Sequence, residues 1–262
     1  MKGTVAQGTV VQGSVAQGTV AQGPVVHGAV SSIIQQELEA FVDPEKQRIL
    51  PRFFKTGKGE YGEGDRFLGV TVPHIRQVAK RHRDASLEEI DALLQSPWHE
   101  CRFCALVLLV DRFTRASAAE ERARLYAFYL QRTDRINNWD LVDASAPRIV
   151  GGYLLDRSRD DLYRLADSPR LWDQRIAVVA NWCLIRHGEY ADLLALAEKL
   201  LHHPHDLMHK AIGWMLRELG KRDRDLLVQF LEKHRLEMPR TMLRYAIEKF
   251  SPEERANFLS RD

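Results

Sequence analysis

Two stretches of this chain combine residue types that could do chemistry. In Asn137-Asn138-Trp139-Asp140-Leu141-Val142-Asp143-Ala144-Ser145-Ala146-Pro147-Arg148, Trp139 and Asp143 are four residues apart and so share one face of a helix. Asn138 suits the N-cap, and Pro147 fits the first turn of a following helix. In the second, Asp206 to Gly220, an apolar stripe of Met208, Ile212, Met215 and Leu219 must face a core. Lys210, Trp214, Arg217 and Lys221 form another stripe on the far side. An indole among cations can sit on a sugar or base while the cations meet phosphates. The ordinary alternatives are a core Trp139 beside a solvated Asp143, and a Trp214 covered by Lys and Arg stems.

Two further helices carry unmatched charge. From Ser168 to Arg186, Trp172, Ile176, Val179 and Cys183 mark a core stripe, with Arg175, Trp182 and Arg186 beside it. Arg175 falls at the border of that stripe, where a partly buried guanidinium needs an anionic partner. Asp143 and a backbone phosphate are both candidates. From Pro239 to Phe250, Arg240 and Arg244 share a face without acids beside them; solvated charge explains them equally well.

Around these pieces the chain reads as helix throughout from Ser32. Apolar residues recur at three and four, connections are short, and no alternating strand pattern appears. Asp43-Pro44-Glu45, Pro73, Ser86, Pro97 and Pro239 mark helix starts. Helix pairs arrive about every 35–40 residues, the mark of a HEAT-like α-solenoid with a concave binding face. The fold class expected is all-α, an α/α superhelix over residues 31–262. Residues 1–30 are a five-residue repeat (GTVAQ, GTVVQ, GSVAQ and variants) with no aromatics, expected to be disordered.

Several function classes drop out. The net charge of +2 neither demands nor excludes nucleic acid, so the placement of charge decides. No apolar run approaches a membrane span or a signal-peptide core, which points to a cytoplasmic protein. The loop Thr56 to Asp65 has four glycines but no Gly-Lys-Ser/Thr, and reads as a plain connection. Cys101 and Cys104 sit in a strongly apolar helix and read as buried thiols rather than a zinc site. His202, His203, His205 and His209 lack the Glu of a zinc-protease helix. Neither a metal nor a cofactor is expected.

Taken together, Trp-Asp-x-Val-Asp at 139–143, Trp-x-x-Arg at 172–175 and Lys-Ala-Ile-Gly-Trp-x-Leu-Arg-Glu at 210–218 resemble the AlkD family of alkylpurine DNA glycosylases. The loop from Phe54 to Val70 and Met238 to Arg244 look like a subfamily variant. The resemblance covers about residues 32–260. It implies a monomeric enzyme that holds duplex DNA on its concave face. Such an enzyme hydrolyses the N-glycosidic bond of cationic N3- or N7-alkylated purines without metal, cofactor, membrane or protein partner. By position, Asp143 resembles the catalytic carboxylate, Arg175 the active-site Arg, and Trp139 and Trp214 the indoles flanking the deoxyribose. Phe53 stands where the family prototype has a Tyr, so its ring is expected to pack on DNA without a hydroxyl contact. Lys210, Arg217, Lys221, Arg240, Arg244 and Arg148 are the expected DNA-contacting cations. The alternative readings are a non-catalytic DNA-binding member of the fold and a protein-binding HEAT scaffold.

Overall fold

The computed structural model describes residues 29–260. The repeat segment up to residue 28 lies outside them, and α1 takes in the last two residues assigned to it by sequence. Fifteen α-helices follow in order among the described residues: α1 (Ala29–Glu39), α2 (Pro44–Phe53), α3 (Val72–Arg81), α4 (Leu87–Leu94), α5 (His99–Arg115), α6 (Ala119–Leu130), α7 (Trp139–Ala146), α8 (Gly152–Leu154), α9 (Asp160–Ala166), α10 (Leu171–Arg186), α11 (Ala191–Lys199), α12 (Asp206–Gly220), α13 (Arg224–His234), α14 (Arg240–Ala246) and α15 (Pro252–Leu259). The described residues contain no strand; Arg66 and Trp98 form an isolated bridge. The architecture is the all-α helical-repeat superhelix expected.

Local chemistry sets the helix starts. The Asp43 carboxylate accepts the N–H groups of Glu45 and Lys46 ahead of Pro44, and Ser86 and Glu89 form a reciprocal capping box. One boundary differs from the sequence reading. Pro147 does not open a separate helix: α7 runs into a π-turn, Pro147–Gly151, and on into α8. The wider turn accommodates a residue that has no N–H to donate.

The helices that matter for the site form a ladder in which α3, α5, α7, α10, α12 and α14 each pack on the next. Other helices back this ladder, α4 on α5, α9 on α10 and α13 on α12, while α2 brings Phe53 to the cleft beside Trp139. A helix in the middle of such a stack is enclosed on most sides. On α10, therefore, burial extends beyond Ile176 and Val179 to Ala177, Val178, Ala180, Leu184 and Ile185, while Trp172 and Cys183 lie only partly buried at its border. At Gly213 the backbone of α14 comes so close that a Cβ would strike the Met242 carbonyl and the Tyr245 side chain. That close approach draws α14 against α12 beside Trp214.

Candidate active site

Asp143 leaves the third rung of the ladder and Arg175 the next. The Arg175 guanidinium grips the carboxylate with two parallel bonds, Nε to Oδ1 at 2.9 Å and Nη2 to Oδ2 at 2.8 Å. Its Nη1 donates to the Leu207 carbonyl at 2.7 Å, tying in the first turn of α12. Of the two partners open to Arg175, the carboxylate is the one it meets. The guanidinium side chain is 5% exposed, so it is an internal brace rather than a ready phosphate ligand. Burial pushes the Asp143 carboxyl above the usual aspartate range, Arg175 opposes that, and Asp140 one turn earlier adds to it.

The carboxylate lies in a cleft of about 850 Å³. Trp139 and Trp214, far apart in sequence, both line it, together with Phe53, Tyr61, His205, Lys210, Arg217 and Tyr245. Trp139 is stacked on Phe54 (ring centres 5.4 Å, 16°) and meets the edge of Phe53, which is 62% exposed at the rim. Trp214 is half-buried on the opposite wall, its indole N–H 3.3 Å from Glu218 Oε1.

The cations of the α12 stripe are not free, and Lys221 lies outside the cleft lining. Lys210 pairs with Asp206 at 2.7 Å, Lys221 with Glu218 at 2.7 Å, and Arg217 with Glu248 and Glu218. The stripe read as basic from its spacing is therefore close to neutral. Arg240 donates to the Leu259 carbonyl at 2.7 Å and so ties α14 to the last turn of α15, away from the cleft. Arg244 is exposed and has no ion-pair partner among the described residues.

The glycine-rich loop departs from the plain connection expected of it. Glu60 and Glu63 accept the N–H groups of Gly57 and Gly59, each at 2.8 Å, folding the loop on itself. Gly62 lies so close to the Phe54 carbonyl that a side chain would collide. Its neighbour Tyr61 is thereby delivered into the cleft, where it meets Trp172 and His205 edge-on at 5.9 and 6.2 Å. Burial raises the Tyr61 phenol above its usual value. A Tyr set between glycines was the available signal for this residue; His205 was weighed only as a metal ligand, and Tyr245 offered no signal.

Arg148 points elsewhere. It lines a groove of about 540 Å³ with Arg76, Lys80, Arg83, Asp111, Thr114 and Ala144. Between groove and cleft runs an apolar strip including Ile49, Leu50, Phe53, Val72 and Ile75, which reaches Ala144 on one side and Asp143 on the other.

The other sequence signals resolve into structure. Cys101 and Cys104 are buried, which pushes their thiols up to about 11 and about 12. His203 bonds Gln174 at 2.7 Å, and His205 caps α12 by accepting from Leu207 N at 3.1 Å. Among the described residues no cluster of three or more His, Cys, Asp or Glu is placed to hold a metal, and no helix is long and apolar enough to cross a membrane.

Comparison with known families matches residues 34–250 to the family described as DNA alkylation repair enzyme. The chain belongs to that family. Among solved structures it is similar to a predicted DNA alkylation repair enzyme from Enterococcus faecalis, at 19% identity and a TM-score of 0.64, covering 80% of this chain and 97% of that one. At that identity the likeness speaks to the fold. No curated protein matches the sequence. Within this DNA alkylation repair family, the cleft around Asp143 is where the chain concentrates chemistry-bearing side chains.

Proposed function

We propose that this protein is an alkylpurine DNA glycosylase whose reaction takes place in the cleft at Asp143. The observation that carries the reading is a half-buried, braced carboxylate between two indoles in an otherwise open cleft. A cationic N3- or N7-alkylpurine is already a good leaving group and needs no general acid. The demand falls on the sugar, which develops oxocarbenium character, and on the water that captures it. A carboxylate with both oxygens fixed by Arg175 retains lone pairs that can face that cation and orient or deprotonate the water. Faces of Trp139 and Trp214 add attraction for positive charge where water is displaced. The work of Arg175 is to hold Asp143 in place.

Duplex DNA is the partner that fits the rest of the surface. The groove at Arg76, Lys80 and Arg148 offers cations to one stretch of backbone, and the apolar strip leads from it to the cleft. The breadth of the cleft suits a nucleotide held at the duplex surface rather than a flipped base gripped on all sides.

A second reading has one observation in its favour. Arg175 occupies both oxygens of Asp143, as it would if the pair only stapled α7 to α10 in a non-catalytic DNA-binding member of the family. Base release from a duplex containing N7-methylguanine, measured for wild type and Asp143→Asn, separates the two. Release by wild type alone supports the glycosylase; binding without release by either supports the second reading.

A further inference from the structure

Directly beneath the cleft lies a set of buried charges that the proposed chemistry does not itself use. His99, the first residue of α5, is 3% exposed, and a carboxylate faces each of its ring nitrogens. Nδ1 lies 3.2 Å from Asp65 Oδ2, and Nε2 lies 2.8 Å from Asp140 Oδ2. A neutral imidazole has one N–H, so one of these contacts would set a lone pair against a carboxylate; only the imidazolium donates to both.

Each carboxylate belongs to a different part of the site. Asp65 closes the glycine-rich loop that carries Tyr61, and it also accepts from Arg102 Nη2 at 2.6 Å, Asn137 at 3.1 Å and Asn138 at 3.2 Å. Asp140 stands between Trp139 and Asp143 on α7, and its Oδ1 accepts from Leu141 N at 2.9 Å. The ring faces strengthen the same link: His99 is stacked on Phe67 and tilted against Phe54, which carries Trp139. Next to it, the Glu100 carboxylate accepts the N–H groups of Leu68, Gly69 and Val70 and fixes the far end of the loop.

We infer that His99 is a positioning residue for Asp143. Its imidazolium bridges Asp65 and Asp140, locks the Tyr61 loop to the helix bearing Trp139 and Asp143, and offsets the negative charge of Asp140 so that Asp143 stays ionised. The inference rests on the glycosylase reading only for its consequence in rate.

The surrounding charges support this assignment. Facing His99 are Asp65 from the loop, Asp140 from α7 and Arg102 from its own helix, with Arg135 beyond Arg102. Burial opposes the charge on His99, but the two carboxylates outweigh burial and Arg102 and raise its pKa to about 9. Facing Asp143 are Arg175 from α10 and Asp140 from α7, with the buried Tyr129 of α6 nearby. Without the cation, His99 no longer offsets the repulsion from Asp140, which favours the protonated form of Asp143 against the pull of Arg175.

The test is the titration of the Asp143 carboxyl carbon by NMR in wild type, His99→Gln and Asp140→Asn, each full length and each checked for a cooperative thermal melt. His99→Gln is expected to move the titration up by about one pH unit. Asp140→Asn, which keeps an acceptor for His99 but removes the repelling charge, is expected to move it down. Opposite shifts support the proposal, because general loosening of the fold would not reverse sign. No shift in either, or shifts in the same direction, overturns it. If His99→Gln fails to fold, the wild-type His99 ring decides: ring-nitrogen NMR shifts that show both nitrogens protonated at neutral pH support the proposal, and a neutral tautomer overturns it. The acidic limb of single-turnover base release from the N7-methylguanine duplex is expected to follow each carboxyl titration. Opposite carboxyl shifts in a protein that releases no base uphold the positioning role and remove the glycosylase reading.

Discussion

Two basic surfaces lie on either side of the α7 face, and they are built differently. On the cleft wall formed by α12, both cations have acids beside them, Lys210 with Asp206 and Arg217 with Glu218 and Glu248; Lys221, just past the helix and outside the cleft lining, pairs with Glu218. In the groove, Arg76, Lys80 and Arg148 have no ion-pair partner among the described residues, and Arg83 is only 3.7 Å from Asp111. Free cations exchange counterions for phosphates at once, whereas paired ones must first give up a carboxylate. On the proposed function the difference divides the labour: the groove would hold the backbone, and the cleft wall would present a nearly neutral surface next to the carboxylate proposed to react.

The largest effect expected from this division is on the reaction side alone. Asp143→Asn should lower single-turnover base release by about a hundredfold or more while leaving duplex affinity close to wild type. Asn keeps one acceptor for Arg175, so the brace is weakened rather than emptied. Replacement by an apolar residue would instead leave a buried guanidinium without its partner and endanger the fold. Rate measured under saturating enzyme, alongside a binding isotherm, makes the distinction. An equal loss in both would mean that Asp143 holds DNA as much as it acts on it.

The buried charges under the cleft offer a second contrast, because their contribution to stability depends on pH. His99 has its pKa raised from 6.5 to about 9 in the folded protein. A raised folded pKa contributes stability that is fully present below about pH 6.5 and lost as pH rises through about 9. The contribution is on the order of 3 kcal/mol. Thermal melts across that window should show a decline in wild type that is largely absent in His99→Gln. A variant that keeps the wild-type pH dependence would show that His99 is not the titrating group.

How much of this was legible beforehand follows the same divide. The ladder of helices was, because period, caps and short connections are local properties; Asp43, Ser86 and Asn138 cap where their types require. The convergence of Trp139 and Trp214 on one cleft was expected too, from the α-solenoid reading and from the family resemblance rather than from either helix alone. Three things were not. The pairing of Lys210, Arg217 and Lys221 depends on Asp206, Glu218 and Glu248, and only the rotamers of the folded chain decide which neighbours meet. The Tyr61 loop is held by contacts from Asp65 to His99, Arg102 and Asn138, far apart along the chain, so its local glycines suggested only a plain connection. Arg148 was singled out for its place in a motif, and its grouping with Arg76 and Lys80 arises only because α3 and α7 both flank α5.

A smaller effect sharpens the holding side. Removing Lys80 and Arg148 together as Ala should weaken duplex binding by about tenfold at moderate salt and make the log–log salt dependence shallower by about two. The rate at saturation should stay unchanged. Unaltered binding would move the DNA track away from the groove.

The smallest effect is the one that tests whether pairing matters. Lys210→Ala removes a cation that Asp206 already holds at 2.7 Å, and it leaves that carboxylate in the first turn of α12, where the helix end favours negative charge. Affinity should fall only about two- to threefold, and the salt slope should change by less than the full step of one lost phosphate contact. Asp206→Ala should do the reverse: a freed Lys210 becomes available to phosphate, so binding tightens and its salt dependence steepens. The double variant should return close to wild type, because the pair is nearly neutral as a unit. If Lys210→Ala instead costs as much as Arg148→Ala, the carboxylate is giving way to phosphate at little cost. The two basic surfaces would then be equivalent, and their different wiring would not divide holding from reaction.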